Sequence, residues 1–294
     1  MRSMPLAAAL VLAFAAGPAS ADVNWNQLEQ IFARPASEEP GGIHRFSFPR
    51  GDMRVTVDGV ELETGLALGS WLAFRPAEGD QATVMGDLVL TQDEVNPVMK
   101  SLAENGIEVT ALHNHLLRAD LFPMYMHVKG QGDAVALANT LRDALGLTGT
   151  PTERSEHVSG EPELNLDTAV ITQALGYEGK AEGGVYKISI PRAGQITADG
   201  MAVPPSMGTA IAINFQSAAE GKAATTGDFV LMAAEVNPVI QALREHGIEV
   251  TALHNHMLEE EPRLFFMHFW GVGAPEDLAR GLKAALDKVN VEEG

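Results

Sequence analysis

Residues 106–115 read G-I-E-V-T-A-L-H-N-H, and the same ten residues return at 247–256. Matching 86–132 against 227–273 at a constant offset of 141, without a gap, gives 26 identities in 47 positions. Upstream the match is weaker: G-G-I-H-R-F-S-F-P-R at 41–50 faces G-G-V-Y-K-I-S-I-P-R at 183–192, and after one lost residue Asp58-Gly59 faces Asp199-Gly200. A chain that repeats itself in this way is two copies of one supersecondary unit, each of about 110 to 130 residues. The boundary is expected near 148–162, where Thr148-Gly149-Thr150-Pro151 and Ser159-Gly160-Glu161-Pro162 interrupt the periodic pattern. This gives a first lobe at 22–150 and a second at 151–294.

Within each unit the hydrophobic period changes in a fixed order. Residues 43–48, 53–57, 70–74 and 82–90 read as strands, with Asp58-Gly59 as a hairpin turn. Val95, Val98, Met99 and Leu102 then recur at helical spacing, and Gly106 stops the helix. Strands at 107–116 and about 123–129 follow, and a last helix carries Val135, Leu137, Ala138, Leu141 and Leu145. The expected class is α+β: in each lobe a mainly antiparallel sheet containing a β-α-β-β-α segment, with helices on one face.

The first 21 residues follow a different logic. Arg2 precedes an apolar run from Pro5 to Ala16, and the stretch ends in Ala19-Ser20-Ala21. That is the pattern of a signal peptide cleaved near Ala21, and it implies a soluble periplasmic or secreted protein. No later stretch reaches 18 continuous apolar residues, so no transmembrane segment is expected. There is no cysteine, so disulfides and thiolate ligands are excluded. With 20 Lys+Arg against 39 Asp+Glu the net charge is −19, which argues against nucleic acid and anionic membranes as partners.

The chemistry lies in the repeated histidines. His113 and His115 have counterparts in His254 and His256, and a third histidine follows twelve residues later in each copy, at His127 and His268. On a strand, residues two apart share a face. If 107–116 and 123–129 form an antiparallel hairpin centred near residue 121, His115 lies opposite His127 and the three imidazoles of a lobe close on one ion. Three nitrogen ligands suit zinc or another divalent transition metal, and a fourth position left to water is the catalytic pattern.

Glu94 and Glu235 stand in equivalent E-V-N-P-V segments before the histidine strand. Two readings fit them equally: a metal-shell or proton-transfer carboxylate with a catalytic role, or a cap on the first turn of the following helix. Glu108 and Glu249 lie an odd number of residues before the first histidine of their set and rank lower. Asn96-Pro97 and Asn237-Pro238 read as a helix entry with proline in the first turn. Arg50 and Arg192 fit either an anion site or a turn anchored by a salt bridge. His44 faces Tyr186 in the repeat and is not expected to be a ligand; His157 and His246 have no repeat partner and are expected to face solvent. Trp270, Phe266 and Phe269 are read as core.

The run G-D-L-V-L-x-x-x-E-V-N-P-V, followed by G-I-E-V-T-A-L-H-N-H and M-H-x-x-G, resembles the LppY/LpqO family of exported bacterial proteins, which carry the domain in tandem and are often labelled peptidoglycan-binding. The H-x-H pair with a later histidine is also distantly similar to the superfamily of alpha-acetolactate decarboxylase and a zinc-bound ester hydrolase. The first resemblance implies a non-catalytic binding module for cell-wall material or metal. The second implies a bound zinc ion, and with the His triads it supports the other reading, a metal-dependent hydrolase or lyase acting on a small ester or carbonyl compound.

Overall fold

The computed structural model describes residues 22–151 and 163–292. The expected signal peptide at 1–21, His157 and most of the expected boundary at 148–162 lie outside the described residues. The first lobe runs α1 (Trp25–Phe32), β1 (Ser37–Glu39), β2 (Ile43–Pro49), β3 (Thr56–Val57), β4 (Val60–Glu61), α2 (Thr64–Ala67), β5 (Gly69–Pro76), β6 (Gln81–Leu90), α3 (Gln92–Glu104), β7 (Glu108–His113), β8 (Met124–Asp133) and α4 (Ala134–Leu145). The second runs α5 (Thr168–Leu175), β9 (Lys180–Glu182), β10 (Val185–Pro191), β11 (Thr197–Ala198), β12 (Met201–Ala202), β13 (Ala210–Ser217), β14 (Ala223–Leu231), α6 (Ala233–Glu245), β15 (Glu249–His254), β16 (Glu260–Glu261), β17 (Phe265–Gly273) and α7 (Pro275–Leu286). Each lobe builds one six-stranded antiparallel sheet, in the order β1-β2-β5-β6-β8-β7 and its counterpart β9-β10-β13-β14-β17-β15. The α+β class and the duplication read from the sequence are thus the observed architecture. The short helices α1 and α5, capped by Asn24 and Asp167, were not legible in the hydrophobic pattern.

The central strands are apolar on both faces because both faces are covered. On β6, Val84, Leu88 and Leu90 join the core under α1, α3 and α4, whereas Met85 and Val89 turn the other way into clusters shared with the second lobe. The lobes therefore pack sheet to sheet, with helices outside, and hydrogen bonds stitch the seam. Gln216 Nε2 donates to the Glu61 carbonyl at 2.9 Å, Asn214 Nδ2 to the Leu66 carbonyl at 3.2 Å, and Thr110 Oγ1 to the His256 carbonyl at 2.6 Å. Trp270 is buried at this seam as expected for core, and its indole N–H donates to Asp58 Oδ2 at 3.1 Å. Asp58 can reach it because Asp58-Gly59 is the left-handed turn (φ 50° and 81°) that joins β3 to β4.

Three local expectations change. The strand predicted over 107–116 ends at His113, and the observed register sets Ala111 against His127 and His113 against Tyr125, with a bulge between Val109 and Ala111. His115 is therefore not opposite His127; it lies in the loop beyond the strand. That loop turns through left-handed Arg118 (φ 58°) and Leu121 (φ 56°), which ends the ladder early. Pro97 and Pro238 are the sixth residues of α3 and α6, in the second turn rather than the first, because both helices begin before the E-V-N-P motif.

Gly86 and Gly227, on the central strands β6 and β14, are required by close backbone approach. A Cβ on Gly227 would stand 1.9 Å from the Ala212 carbonyl oxygen on β13, and one on Gly86 would stand 2.6 Å from the Trp71 carbonyl oxygen on β5. Backbone cannot swing aside as a side-chain tip can. Gly227→Ala is expected to cost about 3 kcal/mol or more in urea unfolding, at the upper end for overpacking. Unfolding indistinguishable from the parent would show that β13 moves away freely.

Candidate metal centre

Each glycine is followed by an aspartate, Asp87 or Asp228, that points to the inner face. Asp87 is the ladder partner of His127, and Asp228 that of His268. The two inner faces meet, so the duplicated histidines of both lobes meet as well. His113 stacks on His254 with ring centroids 3.5 Å apart, His115 on His268 at 3.5 Å, and His127 on His256 at 3.7 Å. All three contacts cross from one lobe to the other. Tyr125 and Phe266 occupy equivalent places outside the stack, packed on His115 and His256 at 3.5 Å each.

The structure brings the six sequence-predicted histidines together, but it sorts them differently from one triad per lobe. Potential ligand atoms lie within 4.8 Å of one another in three groups: His113 with His115, His254 and His256; Asp87 with His115 and His127; and Asp228 with His256 and His268. The first group spans both lobes, and each of the others joins an aspartate to two histidines of its own lobe. Asp228 Oδ1 is 3.7 Å from His268 Nε2 and Asp228 Oδ2 3.7 Å from His256 Nε2, while Asp87 Oδ1 is 3.9 Å from His127 Nε2. These separations are too long for hydrogen bonds. The aspartates were missed in the sequence, although the G-D pair that contains each opens the ungapped repeat.

Burial leaves this cluster unsatisfied. Among the described residues eleven buried side-chain N or O atoms lack a hydrogen-bond partner, and nine belong here: Oδ1 of both aspartates, both ring nitrogens of His113, and Nε2 of the other five histidines. A buried polar atom left unpaired costs about 1 to 3 kcal/mol, so nine of them rival the whole stability of a typical domain. Nitrogen and carboxylate oxygen together form a donor set that suits a divalent transition metal. The residues present can therefore hold a metal ion.

Protonation follows the same physics. Burial, reinforced by neighbouring imidazoles, lowers His115, His127, His256 and His268 well below the usual range. It takes His113 to about 3 and His254 to about 4. Burial pushes Asp87 up to about 7 against the pull of Arg45, and raises Asp228 well above the carboxylate range with help from nearby Asp87. In the metal-free protein, unfolding below pH 6.5 lets six imidazoles take up protons they refuse when folded, so stability falls as pH drops from about 6.5 towards 4. The aspartates oppose this: folded, they keep protons that the unfolded chain releases near pH 4. The net uptake is at most about four protons, each worth ~1.4 kcal/mol per pH unit. Urea titrations of chelator-treated protein at pH 5.0 and 7.0 should show the lower value at pH 5.0; equal stabilities would contradict the buried neutral cluster.

Glu94 and Glu235 belong to none of the three groups. Glu94 accepts from Arg50 Nη1 at 2.8 Å and Nη2 at 3.1 Å, from the Thr91 N–H at 2.8 Å and from the Gly149 N–H at 2.7 Å. Glu235 accepts from Arg192 Nη1 at 2.6 Å and Nη2 at 2.9 Å, and from the N–H groups of Met232 at 2.7 Å and Asn290 at 3.1 Å. Burial raises each carboxyl, but these hydrogen bonds outweigh it and hold both below the usual range. Of the readings left open, this geometry is that of a helix cap tied to a buried arginine. Arg50 and Arg192 are nearly inaccessible, so their anchor is internal rather than on the surface. Glu249 pairs with Arg118 at 2.7 Å, and Glu108 is exposed outside the cluster. His44 stacks on Trp25 at 3.8 Å, and His246 is exposed, with Nδ1 2.8 Å from the Ala242 carbonyl.

The cluster forms part of the lining of a cavity of about 830 Å3 between the lobes, which reaches Asp87, His115, His127, Asp228, His256 and His268. That volume lies in the range of small-molecule sites. No helix of the described residues is long and apolar enough to cross a membrane.

The chain shows a weak likeness to the crystal structure of a trimeric bacterial microcompartment shell protein, PduB, at 14% identity over 86% of this chain and 89% of that chain, with a TM-score of 0.22. EtuB from Clostridium kluyveri is 11% identical over 85% of this chain and 90% of that one, with a TM-score of 0.19. At such TM-scores the likeness carries no argument about fold or function. No curated protein compared with the chain matches it. Residues 26–147 and 169–288, the two lobes whose inner faces build the histidine cluster, each match one family, and the chain belongs to it: the family described as Domain of Unknown Function (DUF1259).

Proposed function

We propose that this protein is an exported, two-lobed binder of zinc or a similar divalent metal, with the ion-binding groups at the seam between lobes 22–150 and 151–294, and that it uses the metal to hydrolyse or cleave a small ester or carbonyl compound. The carrying observation is the set of nine buried, unpaired nitrogen and oxygen atoms that converge from both lobes. Evolution towards a merely structural seam would favour apolar side chains there, since those need no partner. His113, His115, His127, His254, His256 and His268, with Asp87 and Asp228, would hold the metal. When bound, the metal would supply Lewis acidity and lower the pKa of a coordinated water.

The cavity favours chemistry over a closed structural site. It gives a small molecule access to the His/Asp groups that line it. Tyr125 orients His115 by stacking, and its hydroxyl is itself fixed by donating to the Ala67 carbonyl at 3.0 Å. Export rests on the N-terminal pattern Arg2, Pro5–Ala16 and Ala19-Ser20-Ala21. The resemblance to a superfamily that holds zinc through H-x-H and a later histidine supports the same reading.

Elemental analysis of protein purified without a His tag tests it. At least one equivalent of divalent metal per chain is expected, falling below about a tenth of that in His115→Ala/His256→Ala. Absence of metal after reconstitution with zinc, manganese and nickel would sink the reading. Metal-loaded protein that turns over no p-nitrophenyl ester or 2-oxo acid would leave binding, and peptidoglycan pull-down would then identify a cell-wall role.

A further inference from the structure

The cavity beside the histidine cluster carries a feature that metal binding does not require. Although the chain bears a net charge of −19, Arg45, Lys180 and Lys187 all line this one cavity. Arg45 and Lys187 occupy equivalent places in G-G-I-H-R-F-S-F-P-R and G-G-V-Y-K-I-S-I-P-R, on β2 and β10, so both lobes send a cation to the cavity from the same position of the repeat. Neighbouring positions differ, His44 against Tyr186 and Phe46 against Ile188, while positive charge persists at this one.

Arg45 is placed rather than free. Its guanidinium lies over the Trp71 ring, 3.9 Å from the centroid, and Nη1 donates to the Ser206 carbonyl of the second lobe at 2.7 Å. These contacts use one face and one donor of a group with five N–H bonds, and leave others for a ligand. Burial draws Arg45 down to about 10, against the raising influence of Glu39 and Asp87, so it is charged at neutral pH. Lys187 pairs with Glu182 at 3.2 Å in an exposed contact, which contributes little and yields readily to a better anion. Glu39 also lines the cavity and favours Arg45 in its charged form.

We propose that the cavity holds an oxyanion subsite at Arg45: its guanidinium takes the carboxylate or phosphate group of a small organic anion whose remaining part reaches towards Asp87, Asp228 and the histidines, and Lys187, at the equivalent place in the other lobe, adds positive charge to the same cavity. This names the substrate class for the function proposed above and rests on it. A guanidinium set against the half-buried Trp71 ring suits a planar, bidentate oxyanion, and Lys187 adds a mobile point charge. In a strongly acidic protein such local cations are also what draws an anion into the cleft.

The test is isothermal titration of full-length, zinc-reconstituted protein with acetate, succinate, citrate and inorganic phosphate, and with the uncharged diamide of succinate as control. At least one anion should bind while the diamide does not. Lys187→Gln should weaken binding about threefold, and Arg45→Gln about tenfold or more, a charge-assisted hydrogen bond being worth about 1.5 to 3 kcal/mol. Metal content should stay at the parent level in both. Arg45→Lys, which keeps charge but loses the fork, should fall between, and Lys187→Gln keeps the test open if Arg45 variants fold poorly. Equal affinity in the parent and in Arg45→Gln/Lys187→Gln, or no binding of any anion to the parent, overturns the subsite. The two readings fail separately: protein without metal that still binds anions through Arg45 refutes the metal, whereas metal-loaded protein indifferent to Arg45 and Lys187 refutes the subsite.

Discussion

Dialysis against a strong chelator is expected to lower the melting temperature of the metal-loaded protein by on the order of 10 °C. Ligand that binds only the folded state at 1,000 times its dissociation constant adds about 4 kcal/mol, and for chains of somewhat smaller size 1 kcal/mol moves the midpoint by about 2 to 4 °C. The effect should reach the whole molecule. One of the ligand groups, His113 with His115, His254 and His256, draws on both lobes, and the stacked pairs His115/His268 and His127/His256 cross the seam. Calorimetry should therefore show both lobes losing stability together. In His115→Ala/His256→Ala the chelator should have no effect, because each of the three groups contains at least one of these two residues. A midpoint that ignores chelator in the parent, measured after metal content is verified, would mean that the cluster is satisfied in some other way.

Replacement of Arg50 by alanine is expected to cost about 3 to 5 kcal/mol in urea unfolding, with no loss of metal. Arg50 is 0% exposed and makes a two-point contact with Glu94, a bidentate contact with Asp52 at 2.9 and 2.8 Å, and a further hydrogen bond to the Val89 carbonyl. Removal of one member of a buried pair strands the other charge, and that is the source of the penalty. Arg192→Ala should behave alike through Glu235 and the Val230 carbonyl. Glu94→Gln is the informative companion. It preserves shape but not charge, and a role confined to the helix cap predicts reduced stability with any metal-dependent turnover per folded molecule unchanged. A drop in turnover of a hundredfold at full folding would instead restore Glu94 to the chemistry. Coupling between Arg50 and Glu94 in a double-mutant cycle should exceed 1 kcal/mol, about the upper end for exposed pairs.

The resemblance between the copies made much of this protein legible before its structure. Strict offset repetition fixes two like units, and alternation of period 2 with period 3.6 gives the order of strands and helices, because those periods express which side chains must leave water. The histidines could be singled out because they recur while neighbours such as Arg118 and Glu259 diverge. Asp87 and Asp228 escaped notice because each is a single carboxylate inside an apolar strand, with no H-x-H spacing to mark it. Helix geometry made Glu94 ambiguous: whether a first-turn carboxylate caps or catalyses depends on what approaches it, and Arg50 arrives from 44 positions away.

The sequence by itself determined the duplication and the α+β class and singled out the six recurring imidazoles, since local periodicity and exact recurrence are properties of the chain alone. Tertiary structure decided the rest. The early end of β7 at His113 moved His115 out of the ladder, and the packing of one sheet on the other mixed the two sets of ligands across a shared seam. Those outcomes depend on loop geometry and on which faces remain to be buried once the helices have covered the outer ones, and no single lobe contains that information.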